Sequence, residues 1–185
     1  MENKELLDFI EESSGNLVDN PWLYEVTFLK IYVKFEKFLA NIFEMYSLGI
    51  SNSLGYCPNR KLRFDNEKQL RAILNGGESK PYIEYIKKIE YLSKYFFDDD
   101  PFKIIFEYSN YTTRINQMTY IRNYIAHESD TSKKKYIDSC LCGKPFIEPG
   151  VFLQSKNKRN SKSNFSIFVD TIIEISNLIL KPKID

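Results

Sequence analysis

The sequence predicts an all-α bundle folded as one domain, residues 1–185. Three observations lead there. The 185 residues include only seven glycines and seven prolines, few breakers for this length. Long stretches repeat apolar residues at spacings of three and four, the period of a helix with one buried face. Several of these stretches open on Asn, Asp or Ser, with proline in the first helical turn. A hydrophobic content of 43%, with 14 Phe and 13 Tyr, is enough for a sizeable core.

The elements follow in order. Glu2 to Glu12 reads as a short amphipathic helix with Leu6, Phe9 and Ile10 on one side, closed by Gly15 and Asn16. Asp19 or Asn20 caps a long helix from Pro21 to about Leu48, ended by Gly49. Its expected apolar positions are Val26, Leu29, Val33, Phe35, Leu39, Ile42 and Phe43. Ser51 to Phe64, with Gly55 and Pro58, is loop-like. Asp65 or Asn66 caps a third helix to Leu74, and Gly76-Gly77 breaks it. Ser79 caps a helix from Lys80 to Phe97 with Pro81 in its first turn and Ile83, Ile86, Ile89, Tyr91 and Leu92 as apolar surface. Asp98 to Asp100 before Pro101 is a stop-and-restart signal. Helical spacing then runs from Phe102 to His127, with a break near Asn110. Residues 131–164 read as a basic irregular loop. A last helix over 164–181 opens at Ser163 or Asn164, buries Phe165, Phe168, Ile172, Ile175 and Ile179, and stops at Pro182.

Composition narrows the function classes. A net charge of +1 does not mark a globally basic nucleic-acid binder, so any such role needs a local patch. Cys57, Cys140 and Cys142 form no disulfide framework, which points to a reducing cytoplasm. A zinc site built on Cys140 and Cys142 has only Cys57 and His127 to complete four Cys/His ligands, so no metal is expected. No stretch reaches the ~18 apolar residues of a membrane span. Met1 to Glu12 carries five acids and lacks the apolar core of a signal peptide.

The chemistry-bearing candidate is the single histidine, His127, five residues after Arg122. Imidazole exchanges protons near neutral pH, and guanidinium offers a fork of donors that fits a phosphate. The chain has six arginines, so the spacing alone is weak and its surroundings must carry the argument. Ile115, Met118, Ile121 and Ile125 form the core face of the motif helix. Asn116, Tyr120, Asn123 and His127 form a second stripe, so His127 is off the main apolar face. Arg122 and His127 lie roughly 140° apart around the helix, yet a long Arg side chain can converge with the ring on one phosphate. Asn123 is an i, i+4 neighbour of His127. It can orient the ring or hold a ribose or phosphate oxygen, or be a plain surface amide.

RNA carries its own nucleophile in the 2′-hydroxyl. Cleavage needs a base, an acid and positive charge on the phosphate. Two imidazoles do this well, and each chain has one. A symmetric dimer brings two copies of Arg122 and His127 together. Glu128 and Asp130 follow the histidine without metal-ligand spacing, so metal-free chemistry is the simpler expectation. From Thr131 to Asn164 eight cations, among them Lys133, Lys134, Lys135, Lys156, Lys158 and Arg159, face two acids. That stretch can collect an RNA backbone or be a solvated loop. Tyr120 and Tyr124 can stack on bases, although tyrosines in so Tyr-rich a chain are more often packing residues.

Arg122-Asn123-x-x-Ala126-His127 resembles the Arg-x4–6-His signature of the HEPN superfamily (higher eukaryotes and prokaryotes nucleotide-binding domain). Ser129, Ser132, Tyr136, Pro149-Gly150-x-Phe152-Leu153 and a final amphipathic helix follow in an order similar to the HEPN branch linked to RiboL-PSP proteins. Phe35-Glu36-x-Phe38-Leu39 is similar to the long helix of that branch. The resemblance spans Pro21 to Leu180, with its specific motifs between Arg122 and Leu153. It implies an all-α bundle, a homodimer and metal-independent endoribonuclease activity without cofactor, in toxin–antitoxin or antiviral settings where an antitoxin or regulatory protein is a partner. It makes Arg122 and His127 catalytic, with Asn123, Glu128 and Tyr120 in support. In members silenced by nucleotidylation a Tyr stands two residues after the His; here that residue is Ser129. The alternative is a non-catalytic HEPN module that binds nucleotide, RNA or a protein.

Overall fold

The computed structural model describes residues 1–75, 86–156 and 161–181. Among them lie the helices α1 (Lys4–Gly15), α2 (Pro21–Ser47), α3 (Glu67–Asn75), α4 (Ile86–Phe96), α5 (Lys103–Glu107), α6 (Ser109–His127), α7 (Asp130–Cys140), α8 (Pro149–Gln154) and α9 (Asn164–Leu180). The only β pairing among the described residues is two isolated bridges, Arg60 with Phe97 and Lys156 with Ser163. No helix among them is long and apolar enough to cross a membrane. The Gly76-Gly77 break, the Ser79 cap, Pro81, Ile83 and Pro182 lie outside the described residues.

The 27-residue α2 is the axis of the bundle and spans roughly 40 Å. The Asn20 side-chain oxygen accepts from the Trp22 N–H at 3.0 Å, and Pro21 holds the first helical position. Phe28, Ile31, Tyr32, Phe35, Leu39, Ile42, Phe43 and Tyr46 are buried along one side. Helices α1, α3, α4, α6, α8 and α9 all pack on it. Val26, Leu29 and Val33 are not part of this core, contrary to the sequence reading. Val26 and Leu29 are half-buried and Val33 is 47% exposed. With Trp22 they form a separate stripe about 120° around the helix from the core face, by the 100° turn per residue.

Caps and turns fix the other ends. Asn66 accepts from the Gln69 N–H at 3.0 Å ahead of α3. Asp100 accepts from the Phe102 N–H at 2.8 Å and from Ser93 Oγ at 2.7 Å, so the acidic turn ties α4 to α5. Tyr108 is extended (φ −91°, ψ 110°) and separates α5 from α6. Ser163 accepts from the Ser166 N–H and opens α9, whose predicted stripe is buried throughout.

The stretch read as an irregular loop over 131–164 contains two helices among its described residues, α7 and α8. Ser129 and Ser132 form a reciprocal capping box, and Ser132, Tyr136 and Cys140 are buried at spacings of four. Three consecutive lysines mask that pattern in the sequence. Tyr136 stacks on Tyr124 of α6, with centroids 5.7 Å apart and planes 4° from parallel. In α8 the Gly150 N–H donates to Glu25 Oε1 at 2.7 Å. A Cβ on Gly150 would stand 2.1 Å from the Pro21 carbonyl oxygen. The α2 start and α8 therefore meet backbone to backbone, with Leu153 fully buried behind the contact. Gly150→Ala is expected to lower the free energy of unfolding by about 1–3 kcal/mol. Urea titration followed by far-UV circular dichroism measures it, and an unchanged midpoint would mean that the contact yields freely.

Candidate functional site

Helix α6 carries the motif. Ile115, Met118 and Ile121 are buried, and Ile125 packs against the core beside them. The second stripe separates as expected: Asn116, Tyr120 and Asn123 line a cleft of about 540 Å³. Tyr32 and Glu36 of α2, Lys87 and Glu90 of α4, Arg122, and Lys135 of α7 line it too.

His127 is the last residue of α6. It is exposed, lies outside the cleft lining, and makes no side-chain hydrogen bond among the described residues. The next residue, Glu128, takes the left-handed conformation (φ 45°), and its N–H bonds the Tyr124 carbonyl at 2.9 Å. That conformation costs a non-glycine residue on the order of 1 kcal/mol. Glu128 thus ends the helix at the imidazole, and Ser129 starts α7 at once. Within one chain, then, Arg122, Asn123, Tyr120 and Lys135 share a cleft, and His127 and Glu128 do not join them.

Arg122 is 24% exposed and held from two sides. One terminal nitrogen lies 3.6 Å from Glu36 Oε2, and the other donates to Asn123 Oδ1 at 3.1 Å. Its Nε is buried without a partner. The Asn123 carbonyl thus orients the guanidinium rather than the imidazole. Glu36 is 14% exposed. Burial pushes its carboxyl up to about 7, and the Arg122 charge only partly offsets this. One turn earlier, Tyr32 OH lies 2.6 Å from Thr119 Oγ1. Thr119 donates to the Ile115 carbonyl at 2.8 Å, so Tyr32 is the donor in the pair, and burial raises its phenol further. Lys87 and Lys135 form no ion pair among the described residues. The cleft thus sets three cations against two carboxylates, one of them partly neutral at pH 7.

The basic stretch divides into separate roles. Lys133 Nζ sits 4.2 Å from the centroid of the Phe146 ring, a cation–π contact. Lys134 is exposed, and Lys135 reaches the cleft. Lys156 is exposed past α8, and Lys162 pairs with Asp170 at 2.7 Å. Lys158 and Arg159 lie outside the described residues. Tyr124 is a packing residue, stacked on Tyr136 and edge-on to Phe146.

Sequence reasoning missed Glu36, Tyr32, Thr119, Lys87 and Glu90 as parts of this site. Glu36 left a trace: it is an acid among Phe35, Phe38 and Leu39, four residues after Tyr32, where a carboxylate needs a partner. Lys87 left none, because its approach to Arg122 is purely tertiary. Among the described residues no three His, Cys, Asp or Glu side chains gather as a metal-binding group. No protein-family model matches the chain, and no curated protein or solved structure shows significant similarity to it.

The raised Glu36 carboxyl has a pH consequence. Between its ordinary value of 4.5 and about 7 the folded state holds a proton that the unfolded state has lost, so stability falls as pH rises through that window. Glu25, Glu44 and Asp100 are raised by burial as well, so the effect is isolated by comparison with Glu36→Gln. The variant is expected to lose less stability than the parent across the window in urea titrations. Parallel profiles would show that Glu36 is ionised throughout.

Proposed function

We propose that this chain is a metal-independent endoribonuclease of the HEPN type, working as a symmetric homodimer in the cytoplasm as a toxin or antiviral defence effector. The observation that carries this reading is the placement of the motif. An exposed imidazole ends the helix face whose preceding turns, with Arg122, line a cationic cleft.

The chemistry follows from the groups at hand. Arg122, with Lys87 or Lys135, neutralises a phosphate at the cleft. One His127 takes the proton of the 2′-hydroxyl, whose oxygen attacks phosphorus. The bond to the 5′ oxygen breaks, and a second imidazole protonates the leaving group. One chain supplies one imidazole, so the second comes from another copy. A partly exposed apolar stripe on α2 supports such pairing. Trp22 is 64% exposed, and Val26, Leu29 and Val33 continue it at helical spacing. Glu36, the Arg122 partner, lies one turn beyond Val33. A twofold contact along this stripe would draw two clefts towards each other. An antitoxin or regulatory protein fits the same setting as a partner.

One observation favours a second reading, a non-catalytic HEPN module that binds nucleotide, RNA or a protein: Arg122 is already engaged by Glu36 and Asn123 of its own chain. Cleavage assays separate the two. The purified protein is expected to cut RNA in EDTA, and His127→Ala or Arg122→Ala to cut it about 10²–10⁴-fold more slowly. Equal cleavage by parent and variants would overturn the catalytic assignment, and none by the parent on a broad RNA set would favour the binding module. Trp22→Glu is expected to convert the dimer to monomer in sedimentation and to lower cleavage with it. A variant that sediments like the parent would remove α2 from the interface.

A further inference from the structure

A second surface adjoins the cleft. Helix α4 buries Ile86, Ile89, Ser93 and Phe96 and turns Lys87, Tyr91, Lys94 and Tyr95 to solvent. Tyr91 is 65% and Tyr95 57% exposed, high values for large aromatic residues. Their centroids lie 5.2 Å apart with planes 54° from parallel, so the rings do not cover each other face to face. Lys87 stands one turn before Tyr91 and lines the Arg122 cleft, which makes the row continuous with it.

The charge beside the rings is mixed, with Lys87, Lys94 and Lys61 against Glu90, Asp98 and Asp99. Lys94 Nζ lies 4.0 Å from Glu90, a loose exposed pair. Lys61 Nζ donates to the Lys94 carbonyl at 2.9 Å and brings a further cation to the end of α4. Lys88 turns away to the Leu74 carbonyl. Asp98 and Asp99 follow the helix, with Asp99 accepting from Asn59 Nδ2 at 3.0 Å, and they bound the row at that end. Paired aromatic rings among cations are the combination that holds single strands. Bases stack on the rings while the cations follow the backbone. Exposed tyrosines serve protein interfaces as well; continuity with the Arg122 cleft through Lys87 favours a nucleic-acid strand here.

We infer that Tyr91 and Tyr95, flanked by Lys87 and Lys94, form a stacking platform for the bases of a single-stranded RNA segment running towards the Arg122 cleft. The inference rests on the reading of the substrate as RNA. Both rings are exposed, so their replacement leaves the core intact.

The test is fluorescence anisotropy of a short, unstructured, fluorescein-labelled RNA in EDTA, with His127→Ala as the parent so that the strand stays whole. Tyr91→Ala and Tyr95→Ala are each expected to raise Kd about fivefold or more, while Tyr91→Phe and Tyr95→Phe bind like the parent. If the parent binds RNA and the double alanine variant binds equally well, the platform is overturned and the RNA reading stands. If the parent binds no RNA, the RNA reading fails and the platform falls with it. Unchanged RNA affinity with altered sedimentation of the alanine variants would make the face a protein contact, and would also overturn the platform.

Discussion

The burial of one side of α2 is the constraint on which the other helices depend. Phe28, Ile31, Phe35, Leu39, Ile42, Phe43 and Tyr46 offer a continuous apolar seam, and six other helices pack on α2. Rings pack on it from several directions: Phe168 of α9 meets Phe28 at 6.0 Å, and Phe96 of α4 meets Phe43 at 5.4 Å. Burial on this scale dominates the stability of a helical domain, whereas isolated short helices such as α5 and α8 are marginal on their own. The cleft follows from that arrangement. Helices α4 and α6 both lean on α2, and the space between them is walled by its shoulder, where Tyr32 and Glu36 sit.

That shoulder explains the electrostatics. Glu36 is carried into apolar surroundings beside the buried Phe35, Phe38 and Leu39, and the nearby guanidinium returns only part of the lost hydration. Arg122 gains a fixed position in exchange, with Asn123 steering one nitrogen and Glu36 facing the other. A cation held in place before a ligand arrives loses little freedom on binding. Lys87 and Lys135, with no such partners among the described residues, keep the cleft attractive to anions as a whole.

Much of the frame was legible because local chemistry dictates it. Asn20-Pro21 and Ser163 are caps whose side chains bond the expected N–H groups, whereas Asp100 bonds the Phe102 N–H in the turn before α5. The α9 stripe has one unambiguous period. Legibility failed where one stretch carries two signals. Helix α2 is apolar on more than one side, so Val26, Leu29 and Val33 read as core although the first two are half-buried and Val33 is exposed. In α7 the lysines hid a helix that only Ser129-x-x-Ser132 and the Tyr136–Cys140 spacing announce. The site divided in the same way. The helix face of Asn116, Tyr120 and Asn123 follows from 3.6-residue geometry. Its partners on α2 and α4 follow from packing between segments far apart in sequence.

The position of Trp22 determines what an optical signal from this protein can mean. The chain has one tryptophan, and it stands on the outer stripe of α2 rather than in the core. Its indole meets water in the folded chain and again in the unfolded one. Tryptophan emission is therefore a weak reporter of folding, which is better followed through the helices or the buried tyrosines. Anything that covers the stripe removes the indole from water and shifts its emission to the blue. In this protein, indole fluorescence measures contact with another surface more than integrity of the fold.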